Sequence, residues 1–76
     1  MTNYKCIVTL ANGAHKILRM TIDVMATLVT AFRANQRYPW LIKRYEDVYK
    51  KLELLPQQVV GLLFINEYTG ERLEIV

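Results

Sequence analysis

YKCIVTLANGAHKILRMTI, residues 4–22, is the stretch whose reading decides the fold. Asn12-Gly13 at its centre marks a hairpin turn. Side chains alternate along a strand, so the length of the loop around that pair fixes which residues share a face. On the first arm Tyr4, Cys6, Val8 and Leu10 point one way. On the second arm the apolar set is Leu18, Met20 and Ile22. A two-residue loop would put the two sets on opposite faces. A three-residue loop, Ala11-Asn12-Gly13, puts both on one face, with Gly13 in the left-handed position of a type I turn and G1 bulge. A buried face selects the register, so the three-residue loop is expected.

The C-terminal stretch VVGLLFINEYTGERLEIV, residues 59–76, reads as a second hairpin. Loop Tyr68-Thr69-Gly70 sets Leu63 and Ile65 on one face with Leu73 and Ile75. Phe64 and Asn66 then share the other face with Arg72 and Glu74. This register opposes Glu67 to Glu71, and facing like charges repel. A two-residue loop would avoid that but would split the apolar faces. VVGLLFI is apolar on both faces. If helices cover only one, Val60, Leu62 and Phe64 face water and form an interface for a protein partner or a second copy. Otherwise this strand is central and loops cover its second face.

Two helices are expected between the hairpins. Asp23 is a plausible N-cap for the first, and Met25, Leu28, Val29 and Phe32 recur at helical spacing after it. It should end before Pro39, because Tyr38 is biased to extended backbone. The second is expected over residues 40–54, with the apolar stripe Leu41, Tyr45, Val48 and Leu52. Glu46–Lys50 and Asp47–Lys51 support it as i,i+4 pairs, and Pro56 lies beyond its end. The expected fold is α+β, in the order β-β-α-α-β-β: a small antiparallel sheet of two hairpins with two helices packed on one face. Residues 1–76 read as a single domain.

The chain has 76 residues, 53% hydrophobic and 22% charged. That is a globular composition, and so short a chain buries roughly 60% of its unfolded surface. It contains no serine, which excludes Ser-based nucleophilic catalysis. It has one cysteine, Cys6, and one histidine, His15. No intrachain disulfide can form, and neither a metal site nor a cofactor is expected. In the expected register Cys6 and His15 lie on opposite faces, so they do not form a catalytic pair. Glu67, Glu71 and Glu74 read as a solubilising face. No leader segment or membrane span is expected, and a cytoplasmic setting follows.

Charge is uneven. Residues 1–44 carry seven cations against Asp23 alone, +6, and residues 45–76 carry three against six carboxylates, −3. The cations concentrate in RANQRYPWLIKR, residues 33–44, which has no acid. Arg33, Arg37, Lys43 and Arg44 could hold phosphates while Tyr38 and Trp40 offer faces for bases. Lys43 and Arg44 are expected in the first turn of the second helix, where the helix dipole disfavours cations. The plainer reading, and the one preferred, is that Tyr38 and Trp40 plug the helix junction while the cations are solvated. No helix-turn-helix, zinc-finger or RNA-recognition signature is present. Tyr49 falls just off the apolar stripe and could serve as an exposed aromatic anchor for a partner.

Together these features point to a non-enzymatic interaction protein that binds a protein partner or itself through an apolar sheet face. Small size suggests a bacterial or phage accessory protein. The alternative is a nucleic-acid-binding accessory protein that uses residues 33–44.

Overall fold

The computed structural model describes residues 3–75, with the side chains of Leu41 and Ile42 left aside. The first hairpin, β1 (Asn3–Leu10) and β2 (His15–Thr21), has the expected register: Cys6 faces Leu18 and Tyr4 faces Met20. Its loop is the three-residue one. Leu10 N–H donates to Ala14 O and Gly13 N–H to Leu10 O, both at 2.9 Å. Gly13 has φ +86°, where a Cβ is disfavoured. The Asn12 side chain accepts the Ala14 N–H at 2.9 Å.

Helix α1 (Ile22–Arg37) follows directly. Its N-cap is Thr21, not Asp23. Asp23 lies in the first turn, where the exposed N–H groups favour an anion. Leu28, Ala31 and Phe32 are buried, and Met25 and Val29 pack half-buried beside them. The helix stops at Arg37, and Tyr38 (φ −133°, ψ 79°) leads into Pro39 as expected.

The second helical region differs from the expected continuous helix. Residues Pro39–Tyr45 form a 3-10 helix and only Glu46–Lys51 form α2. Proline at the start and the tighter winding turn the inward face. Val48 and Tyr49 are consequently both buried, while Tyr45 and Leu52 are half-buried. Leu41, the other member of the expected stripe, lies outside the described side chains. Asn35 of α1 donates to the Tyr49 hydroxyl at 3.2 Å and ties the two helices.

A Schellman motif closes α2. Leu54 N–H donates to Tyr49 O at 2.8 Å and Glu53 N–H to Lys50 O at 3.1 Å. Glu53 takes the left-handed position (φ +56°) that glycine normally fills. Lys16 of β2 donates to the Leu52 and Glu53 carbonyls at 3.3 and 3.0 Å, placing a cation at the negative helix end.

A short 3-10 turn, Pro56–Gln58, leads into β3 (Val59–Asn66) and β4 (Arg72–Ile75). All four strands form one antiparallel sheet, ordered β2-β1-β3-β4. Here the expected second register is overturned. Phe64 faces Leu73 and Leu62 faces Ile75. The loop has four residues, not three. Asn66 N–H donates to Glu71 O at 2.9 Å and Gly70 N–H to Asn66 O at 2.8 Å. The Asn66 side-chain oxygen accepts from Tyr68 N–H and Thr69 N–H, at 2.8 and 3.2 Å, and so stabilises the longer turn. Glu67 and Glu71 therefore do not oppose each other.

One residue of loop length exchanges the faces. Leu62 and Phe64 point into the core with Cys6, Val8 and Met20, against Leu28, Ala31, Phe32, Val48 and Tyr49 of the helical layer. Leu63 and Ile65 point outward with Ile7. A bulge between β1 and β3 pairs Thr9 with Gly61 but Leu10 with Val59. Val59 is thereby turned inward and Val60 outward.

The register predicts that Phe64→Ala loses about 3–5 kcal/mol in urea denaturation, the loss of a fully buried aromatic. A loss under about 1 kcal/mol would restore the expected register, in which Phe64 is exposed. Glu53→Gly should gain about 1 kcal/mol, because glycine takes the left-handed position without the Cβ penalty.

Candidate interaction surfaces

Two surfaces stand out, one on each layer. The first is the sheet face turned away from the helices. Cross-strand pairing aligns Ile17, Ile7 and Leu63 in one row, ended by Glu74. The next row is Arg19, Lys5, Ile65 and Arg72, and on the other side lie His15, Thr9 and Gly61. Ile17 is 60% exposed, while Ile7, Leu63 and Ile65 are half-buried by their neighbours alone. An antiparallel sheet open to water normally turns polar residues outward. This one carries an apolar row three strands wide with cations alongside. Arg19 pairs with Glu67 at 3.2 Å. Among the described residues, Lys5 and Arg72 make no ion pair.

The expected interface residues are not gathered here. Val60 is 46% exposed, but Leu62, Phe64 and Tyr49 are buried in the core and unavailable to a partner. Leu62 and Phe64 moved inward with the register, and Tyr49 with the 3-10 segment before it. The open set was overlooked, although its signal was present. Once Cys6, Val8, Leu18 and Met20 face the core, Ile7 and Ile17 must face away from it.

The second surface is residues 33–44. All six singled-out residues, Arg33, Arg37, Tyr38, Trp40, Lys43 and Arg44, are exposed. Trp40 is 74% exposed and Tyr38 44%. Their rings meet edge to face, with centroids 5.3 Å apart and planes at 60°. The reading in which they plug the helix junction is therefore corrected: they stand on the surface. Lys43 and Arg44 lie in the last turn of the 3-10 helix, not the first turn of α2. That position suits cations, so their placement carries no dipole strain. The Arg44 guanidinium sits 5.9 Å from the Tyr45 ring centroid, at the limit of cation–π range. Arg33, Gln36 and Arg37 line a shallow cleft of about 390 Å³. The ion pairs among described residues are Arg19–Glu67 and Lys50–Glu46, and neither involves these four cations.

The remaining chemistry is sparse. Cys6 lies in the core, where burial pushes its thiol up to about 12. His15 is on the opposite face, its Nδ1 3.3 Å from the Thr9 hydroxyl oxygen. A further groove of about 420 Å³ between α1 and α2 is lined by Asp23, Val24, Thr27, Asp47, Val48 and Lys51. Among the described residues no three His, Cys, Asp or Glu side chains cluster to hold a metal ion. No described helix is long and apolar enough to cross a membrane. No protein-family model matches the chain, and comparison with curated proteins and with solved structures gave no match.

The raised Cys6 pKa predicts a pH dependence. The folded state favours the protonated thiol, whereas the unfolded thiol ionises near its ordinary 9.0. Stability from this group is therefore complete below pH 9.0 and is lost as pH rises towards about 12. Burial raises Tyr49 as well and adds to the same alkaline decline. Denaturation midpoints for Cys6→Ala should fall less steeply than wild type across that window. Identical slopes would place the thiol in water.

Proposed function

We propose that this chain is a non-enzymatic interaction protein whose contact surface is the open sheet face, and that its first partner is a second copy of itself. The observation that carries the reading is the row Ile17, Ile7 and Leu63, with Ile65 beside it, on a face that no helix covers. Scattered surface hydrophobics need no explanation, but a contiguous row does.

Charge favours a second copy in one orientation. Two such faces stack about 10 Å apart. A two-fold axis running across the strands, along the apolar row, lays that row on its own image. Each copy's cationic row then meets the other's row of Thr9, Gly61 and His15, which holds no lysine or arginine. An axis along the strands would instead stack Lys5, Arg19 and Arg72 on their own images, which repulsion opposes. Under the first axis the two Glu74 carboxylates approach at the rim, where water and salt screen them. Four strands by about seven residues cover roughly 300–450 Å². Standard interfaces bury about 800 Å² per partner, so the pairing is weak and concentration-dependent.

Its proposed setting is the cytoplasm, where an unpaired thiol stays reduced. An accessory role in a bacterium or phage is proposed on size alone.

Sedimentation equilibrium tests the pairing. The mass should rise from the 8.9 kDa of one chain towards twice that value as concentration increases. Ile17→Glu, at an exposed position that folding tolerates, should keep the chain monomeric, because a two-fold interface counts each substitution twice. A wild-type chain that stays monomeric at about millimolar concentration, or a variant that self-associates unchanged, would sink the reading.

A further inference from the structure

We propose that the surface formed by Arg33, Arg37, Tyr38, Trp40, Lys43 and Arg44 binds single-stranded nucleic acid. The site is separate from the sheet face. α1 and the 3-10 helix Pro39–Tyr45 pack against each other in the helical layer, while the apolar row lies on the other side of the sheet. A dimer stacked through the sheets would leave both copies of this surface outward.

Three observations favour this ligand. The first is the concentration of charge: four exposed cations with no acidic residue between positions 33 and 44. Protein interfaces are depleted of charge at their centres, whereas a polyanion is held by Lys and Arg that displace its counterions. The second is spacing. Arg33 and Arg37 stand one above the other on α1, about 6 Å apart along its axis, so both can reach the same phosphate backbone. The cleft they line with Gln36 gives a backbone somewhere to lie.

The third is Trp40. Almost three quarters of its surface is open, with Tyr38 against it edge to face. In a single strand the bases are free to stack on such rings, whatever their sequence. In a duplex they are stacked on one another, and an exposed indole beside the phosphates has nothing to hold. An anionic membrane would attract the same cations. Insertion, however, calls for an apolar helix face, and the exposed face of α1 here carries Arg33, Gln36 and Arg37.

The test uses the whole chain, with Trp40, its only tryptophan, as reporter. The probe is oligothymidylate of about 10 nucleotides, within the size range of single-strand sites. Indole emission should be quenched at about 50 mM salt and recover towards about 200 mM, with a log–log slope near −3 for four neutralised phosphates. A duplex of equal length should bind at least about tenfold more weakly and without quenching. Trp40→Ala lacks the reporter indole, so it is compared with wild type by the anisotropy of a fluorescein-labelled oligothymidylate; it should weaken binding about 5- to 100-fold and leave the slope unchanged. Arg37→Ala with Arg44→Ala should reduce the slope by about 1.4.

Circular dichroism checks that these surface variants fold. Three outcomes would overturn the proposal. One is no quenching at low salt. Another is equal binding of the duplex with no dependence on Trp40. The third is quenching by phosphatidylserine vesicles or polyglutamate but not by the oligonucleotide. Ile17→Glu should leave oligonucleotide binding intact, and Trp40→Ala should leave the sedimentation mass unchanged, so each proposal fails separately.

Discussion

The pairing of β1 with β3 is the constraint on which the rest of the structure depends. It sets Cys6 against Phe64 and Val8 against Leu62, all four buried. These pairs give the centre of the sheet one apolar face on which α1 and α2 can close. Both helices pack on that one face. Whatever β1 and β3 turn away from the helices is left open, and here that is Ile7, Leu63 and Ile65. The apolar row on the uncovered face is thus a consequence of the register that builds the core. The bulge at Val60 and the cation that Lys16 holds at the end of α2 adjust the margins of that arrangement without altering it.

The first hairpin was legible because local chemistry and burial agreed. Asn12 and Gly13 allow few turns, and only one loop length gathers Cys6, Val8, Leu18 and Met20 on one face. The second was not legible, for a physical reason. Every residue from Val59 to Ile65 is apolar or glycine, so β3 has no period of its own. Its facing was inherited from the loop, and the loop turned on one side chain, Asn66, which lengthens the turn by accepting two backbone N–H groups. A repulsion between Glu67 and Glu71 already counted against the shorter loop. The four-residue loop relieves that repulsion and brings Phe64 inward.

The same logic separates the two surfaces. The cationic stretch is visible in sequence because charge is a property of the residues themselves. The open face is not, because apolarity alone does not say whether a residue is covered. Tyr49 shows how far this reaches. Its position follows from a seven-residue 3-10 segment where regular helix was expected. About 20° of extra winding per residue was enough to carry an aromatic ring from the surface to the core.

Charge placement gives the last step. The fold neutralises its surface where it can: Arg19 with Glu67, Lys50 with Glu46, and Lys16 on the α2 carbonyls. Asp23 occupies the positive end of α1 and Lys43 and Arg44 a negative one. Arg33 and Arg37 are different. They sit i,i+4 on one helix face as like charges, which costs about 0.2–0.5 kcal/mol, although Arg37, in the last turn of α1, also meets the negative helix end. Glutamate at position 33 would give a favourable pair with Arg37 at no cost in packing, because both positions are exposed. A small domain has little stability to spare. Two local choices work against the fold, Glu53 in its left-handed position and the like-charged pair Arg33–Arg37, and of these only the second lies on the surface proposed to bind nucleic acid.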